Sequence, residues 1–280
     1  MRHLIIRSAT AALLLFALCA CRAPADQQQS SSTSPVAPLS GRVTTPHAEP
    51  DDGTWQRPAK DFASTRFSGL TQLTAESVRG LTVKATFSTG FTRGHEAAPL
   101  VVNNTMYVVT PFPNVLYALD LTKPGLPLKW KFEPKPKSSA QGVACCDVVN
   151  RGASFANGLI VINTLDNRTV AVDAATGQAK WDTLLGDIGH GETMTMAPLI
   201  VKDKVFVGNS GGEMGVRGWL TALDLMSGRQ VWRAYSTGPD TDVLIGPRFK
   251  PYYAAERGTD LGIHSWPGET WKQGGGAPWG

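Results

Sequence analysis

Apolar and polar residues alternate through three stretches that share one layout: LYALDLTKPGLPLKWKF from Leu116, VAVDAATGQAKWDTLLG from Val170 and LTALDLMSGRQVWRAYSTG from Leu220. A period of two marks strands with one face turned to a core. Each stretch enters a turn such as Thr176-Gly177 or Ser227-Gly228 and then resumes with a strand that carries a tryptophan. The pattern predicts a hairpin with an aspartate before its turn, at Asp120, Asp173 and Asp224. Trp130, Trp181 and Trp232 recur every 51 residues. Apolar runs at 98–109, 158–164 and 197–208 predict further strands ahead of each hairpin. Four short antiparallel strands per repeat describe the blade of a β-propeller, so the fold class is all-β. The tryptophans read as packing residues, each burying against the next blade and contributing about 3–5 kcal/mol. Function then falls to the loops near the propeller axis.

Composition agrees with this reading and adds a compartment. With 42% hydrophobic and 18% charged residues among 280, the chain can bury a core, and wholesale disorder is excluded. The 29 glycines and 19 prolines suit strands joined by turns and argue against a helical bundle. Arg2 and Arg7 precede the apolar run 11–20, which is too short for a membrane-spanning helix and suits a secretory leader. Its end, Leu18-Cys19-Ala20-Cys21, resembles a bacterial lipobox with Cys21 as the lipidated first mature residue; the alternative is an ordinary signal cleaved near Ala25. Residues 1–20 are thus expected to be a lipoprotein-type signal, 21–50 a lipidated cysteine with a Gln/Ser-rich tether, and 51–280 a partial propeller. Both leader readings place the folded part in an oxidising space, the periplasm. Loss of Arg2 and Arg7 takes the net charge from +4 to +2, so the balance does not point to nucleic acid.

Several loop residues could carry chemistry. Cys145 and Cys146 are adjacent, and Cα atoms about 3.8 Å apart are closer than an ordinary disulfide holds them. They read either as a strained vicinal disulfide or as two unpaired thiols. Glu213 lies in the glycine-rich stretch GNSGGEMGVRG after the strand at 204–208, where missing side chains let backbone approach a flat ligand. One carboxylate alone does not build a Ca²⁺ site, and a solvated turn glutamate is the plainer reading. Glu96, Arg151 and Thr195 are ordinary polar loop residues when taken singly. HExxH, CxxCH and Walker patterns do not occur in the sequence, which leaves zinc proteolysis, local haem attachment and nucleotide binding without support.

Taken together, KDFASTRFSGLTQL, HEAAPLVVNNTMYVVTPFPNVLYALD, ACCDVVNRG, MAPLIVKDKVFVGNSGGEMGVRGWLTALDLMSG, VWRAYSTGPD and WKQGGGAPWG resemble the quinoprotein alcohol dehydrogenases. That family of methanol and ethanol dehydrogenases uses pyrroloquinoline quinone (PQQ) in an eight-bladed propeller. The resemblance covers nearly all of residues 55–280, and the adjacent cysteines with SGGEMGVRG are its most specific parts. It implies a disulfide plate at Cys145-Cys146 over one face of PQQ and an aromatic floor at Trp279 under the other. It further implies hydrogen bonds to the cofactor from Glu96, Arg151, Thr195 and the turn Ser210-Gly211-Gly212, and a first metal ligand at Glu213. Ala277 stands where relatives carry threonine in the floor loop, which removes one hydroxyl contact. The implied activity is oxidation of a primary alcohol to an aldehyde, with Ca²⁺ or a lanthanide as Lewis acid and a cytochrome c as electron acceptor.

In the family the aspartate base and the remaining metal ligands follow the floor loop, so none is assigned within this chain. Residues 55–280 measure only about 4.4 repeat lengths of 51, so the sequence reads as the N-terminal portion of a longer dehydrogenase, about half a propeller. The alternatives are a non-enzymatic propeller lipoprotein scaffold, or a PQQ dehydrogenase for sugars, aldehydes or polyols.

Overall fold

The computed structural model describes residues 51–144, 147–247, 249 and 258–278. The leader, Cys21 and the tether, together with Cys145, Cys146 and Trp279, lie outside the described residues.

Twelve strands form three antiparallel sheets of four, each in simple sequence order. Blade I contains β1 (Leu100–Val102), β2 (Thr105–Val109), β3 (Leu116–Asp120) and β4 (Leu128–Phe132). Blade II contains β5 (Ala153–Ala156), β6 (Leu159–Asn163), β7 (Arg168–Asp173) and β8 (Ala179–Leu184). Blade III contains β9 (Leu199–Val201), β10 (Lys204–Gly208), β11 (Trp219–Asp224) and β12 (Gln230–Tyr235). The first strands β1, β5 and β9 adjoin one another from blade to blade. The meander and its period match the expectation from sequence.

Expected alternation between a buried and an exposed face gives way to burial on both faces in the middle blade. Every residue of β6 is buried, because the two apolar faces serve two neighbours. Ile160 and Ile162 pack with Leu100, Tyr107 and Leu116 of blade I. Leu159 and Val161 pack with Ile200, Val205 and Val207 of blade III. The other face of blade I is covered from the chain that precedes it, where Phe87 and Phe91 pack on Val115, Tyr117 and Leu119. Beyond β12 the chain forms two single-turn helices, α1 (Asp240–Val243) and α2 (Leu261–His264).

The repeated tryptophans dock in one direction. Trp130 of blade I donates its indole N–H to the Ala174 carbonyl of blade II at 3.1 Å, and Trp181 of blade II donates to Leu225 of blade III at 2.8 Å. Each pairs across its own hairpin with a fully buried alanine, Ala118 and Ala171, at a register shift repeated in all three blades. The ring then lies over the turn glycine of the following blade, Gly177 under Trp130 and Gly228 under Trp181. Trp232 rests against Phe206 of its own sheet, with centroids 5.9 Å apart.

The aspartates before these turns accept hydrogen bonds from the turn itself: Asp120 from Thr122, Asp173 from Thr176 and Asp224 from Ser227. Those bonds hold all three carboxyls below the ordinary aspartate value of 3.8. A carboxyl whose folded value is depressed contributes stability above its unfolded value and loses it as pH falls toward the folded one. The urea midpoint is therefore expected to stay level above about pH 5 and to fall below the ordinary carboxylate range. Asp173→Asn should flatten part of that acid limb; an acid limb identical to that of the wild type would contradict this account of the turns.

Candidate cofactor site

Each blade is entered through a polar loop, and three of these loops converge. Glu96 precedes β1, Arg151 precedes β5 and Thr195 precedes β9. Arg151 donates from Nη1 to the Thr195 hydroxyl at 2.7 Å, and its backbone N–H donates to the Thr195 carbonyl at 2.9 Å. Its Nε lies 3.7 Å from Glu96 Oε2. A bridge between Ala98 and Gly152 holds the first two loops side by side. Residues scattered over 100 positions thus form one line, Glu96, Arg151, Thr195, running across three blades at the end where the first strands meet.

The loop between β10 and β11 reaches the same end. Ser210 pairs with Thr193, with the Ser210 amide donating to the Thr193 carbonyl at 2.9 Å and the two hydroxyls 2.7 Å apart. Both residues are buried. Gly211 then turns the chain with φ +109°, and its missing side chain makes room for the carbonyl oxygen of Gly191. Glu213 follows in a single 3-10 turn, Gly212–Met214, and is exposed. No other described residue pairs with its carboxylate. The segment 275–278 lies against this turn, with the Gly275 carbonyl and Ala277 beside Gly212 and the Gly276 carbonyl beside Gly218.

The expected contacts Glu96, Arg151, Thr195, Ser210, Gly211, Gly212 and Glu213 therefore gather at one end of the three blades. Cys145, Cys146 and Trp279 fall outside the described residues, although their neighbours at 144, 147 and 278 are placed. Among the described residues, no group of three or more His, Cys, Asp or Glu side chains gathers to hold a metal; Glu213 presents one exposed carboxylate in the turn. The donor set suits a flat anion: a guanidinium and hydroxyls for carboxylates and carbonyls, with side-chain-free backbone at Gly211-Gly212 for close approach. Thr193, which holds the Ser210 turn in place, was not singled out from the sequence. Its partner is 17 residues away and no local motif joins them.

Comparison with known proteins gives the family of the chain. The family described as "PQQ: Glucose/ethanol/alcohol dehydrogenase, beta-propeller domain" matches residues 55–246. A lanthanide-dependent methanol dehydrogenase of Methylacidiphilum fumariolicum (strain SolV) is 49% identical over 83% of this chain and 38% of its own length. Methanol dehydrogenase (cytochrome c) subunit 1 of Methylobacterium organophilum is 47% identical over 82% of this chain and 37% of its own. The structure of a europium-containing methanol dehydrogenase superposes with a TM-score of 0.79, at 49% identity, over 83% of this chain and 40% of that one. The chain thus spans about two-fifths of the length of these relatives.

Proposed function

The chain belongs to the PQQ glucose/ethanol/alcohol dehydrogenase β-propeller family, and on that premise we propose that residues 96–279 form part of the wall of a PQQ site serving the oxidation of a primary alcohol. The observation that carries this reading is the line Glu96, Arg151, Thr195 beside the Ser210–Glu213 turn, which brings polar donors from three blades to one end.

In this reading Arg151 binds a carboxylate or carbonyl of the cofactor with charge-assisted hydrogen bonds and is itself oriented by Thr195 and Glu96. The Ser210-Gly211-Gly212 backbone would bind the cofactor, and Cys145-Cys146 and Trp279 would hold its faces. Glu213 supplies one oxygen ligand to Ca²⁺ or a lanthanide. PQQ would supply the hydride acceptor for the alcohol, and Ca²⁺ or a lanthanide held by Glu213 would supply a Lewis acid. The proton acceptor is not assigned within this chain. A cytochrome c is the proposed electron acceptor, in the periplasm. The leader and the Leu18-Cys19-Ala20-Cys21 motif support export and a lipid on Cys21.

Arg151→Met tests the reading. Loss of charge-assisted hydrogen bonds worth about 1.5–3 kcal/mol should weaken PQQ binding by roughly 10- to 100-fold, read from the cofactor's absorbance and from quenching of tryptophan fluorescence. Unchanged affinity would remove Arg151 from the site. A folded wild-type chain that does not bind PQQ would favour the scaffold alternative.

A further inference from the structure

Glu192 stands next to the proposed contacts, and its hydrogen bonds among the described residues go to Asp187, Asn167 and Trp219. Its carboxylate accepts the Trp219 indole N–H at 2.8 Å on one oxygen and the Asp187 amide at 2.5 Å on the other. Its own carbonyl accepts the side-chain amide of Asn167 at 2.5 Å. Asp187 and Asn167 belong to loops of blade II, while Trp219 begins β11 of blade III, so this one residue is tied to both blades. Trp219 is fully buried and lies under the guanidinium of Arg233 at 4.0 Å; Arg233 in turn donates to the Leu185 carbonyl of blade II at 2.7 Å.

The residues around Glu192 meet the site at every other position. Gly191 abuts Gly211 and Met214, Thr193 holds Ser210, and Thr195 holds Arg151. Fixing Glu192 therefore fixes the spine from which three of the proposed cofactor contacts are hung. We propose that Glu192 is a positioning residue: its two-oxygen clamp on blades II and III sets the placement of the 191–195 segment, and through it Arg151 and the Ser210–Gly212 turn. The inference deepens the PQQ reading and rests on it for its functional consequence.

The chemistry makes a sharp test possible. An ionised carboxylate accepts at both oxygens, whereas an amide accepts at one and donates at the other. Glu192→Gln keeps shape and volume but leaves either the Trp219 or the Asp187 N–H facing another donor. In the full chain without cofactor, amide exchange at Arg151, which donates to Thr195, and at Ser210, which donates to Thr193, should accelerate about tenfold or more. PQQ should then bind about tenfold or more weakly, as is usual when a residue supporting a ligating group is lost.

Lys180→Gln serves as the control. It breaks the ion pair to Asp173 at the hairpin turn of blade II, away from this segment, and it should leave both amides and the PQQ affinity unchanged. If Glu192→Gln does not fold, Trp219→Phe deletes one donor while keeping a ring in the core and gives the same readouts. Unchanged exchange at the two amides overturns the positioning role, as does equal acceleration in the Lys180→Gln control. Accelerated exchange with unchanged PQQ affinity overturns it as well. Accelerated exchange in a chain whose wild type does not bind PQQ leaves the clamp standing and overturns the cofactor reading instead.

Discussion

Gly228→Ala is expected to destabilise the chain by about 2–5 kcal/mol. Gly228 sits at φ +69°, a conformation that costs an alanine about 1–2 kcal/mol. The added Cβ would also stand 2.5 Å from Cδ2 of Trp181, and pushing the ring out of its seat adds about 1–3 kcal/mol of overpacking. Gly125 of blade I separates these costs. It has φ +79° but no heavy atom within 4 Å of the position a Cβ would take. Gly125→Ala should therefore lose only the conformational share. Denaturant midpoints of the two variants give the docking contribution by difference. Equal losses would mean that tryptophan docking between blades contributes little to the stability of this chain.

Gly211→Ala is expected to reduce PQQ affinity by about 100-fold or more, a larger effect than that of any single donor in the site. At φ +109° and with its Cβ position already occupied by the Gly191 carbonyl oxygen, an alanine at 211 must move the turn away from the 191–195 segment. Ser210, Gly212 and Glu213 move with it. A displacement of about 1 Å in groups that hold a reacting partner costs on the order of 100-fold. The fluorescence titration used for Arg151 measures this directly. Wild-type affinity in a folded Gly211→Ala variant would place the cofactor elsewhere.

Much of the scaffold was legible in the chain because it is local. A hairpin, its turn aspartate and its tryptophan lie within 17 residues, and repetition at 51 residues made three weak signals into one. The alanine opposite each tryptophan is equally local, in ALD, AVD and ALD, yet its role emerges only when the register shift after Ala118, Ala171 and Ala222 is seen. Burial on both faces of β6 was signalled only by its unbroken apolar run at 159–162, which does not reveal that two different neighbours use the two faces. The cover over blade I from Phe87 and Phe91 has no periodic signature either.

The site divides in the same way. Each of its residues was found through resemblance to a family, since a lone Glu96, Arg151 or Thr195 has no distinguishing pattern of its own. Their convergence is a property of topology: three blades start at one end, so residues ahead of β1, β5 and β9 meet there whatever their spacing. Glu192 escaped notice because its partners lie 5 and 27 residues away, on two different blades.

The central claim is that these three blades carry one wall of a PQQ site. Titration of the purified full chain with PQQ, with and without Ca²⁺, tests it most directly. The account predicts saturable binding at one PQQ per chain, tightened by the metal through Glu213 and weakened in Arg151→Met. A folded chain that shows no saturable PQQ binding under either condition would contradict it.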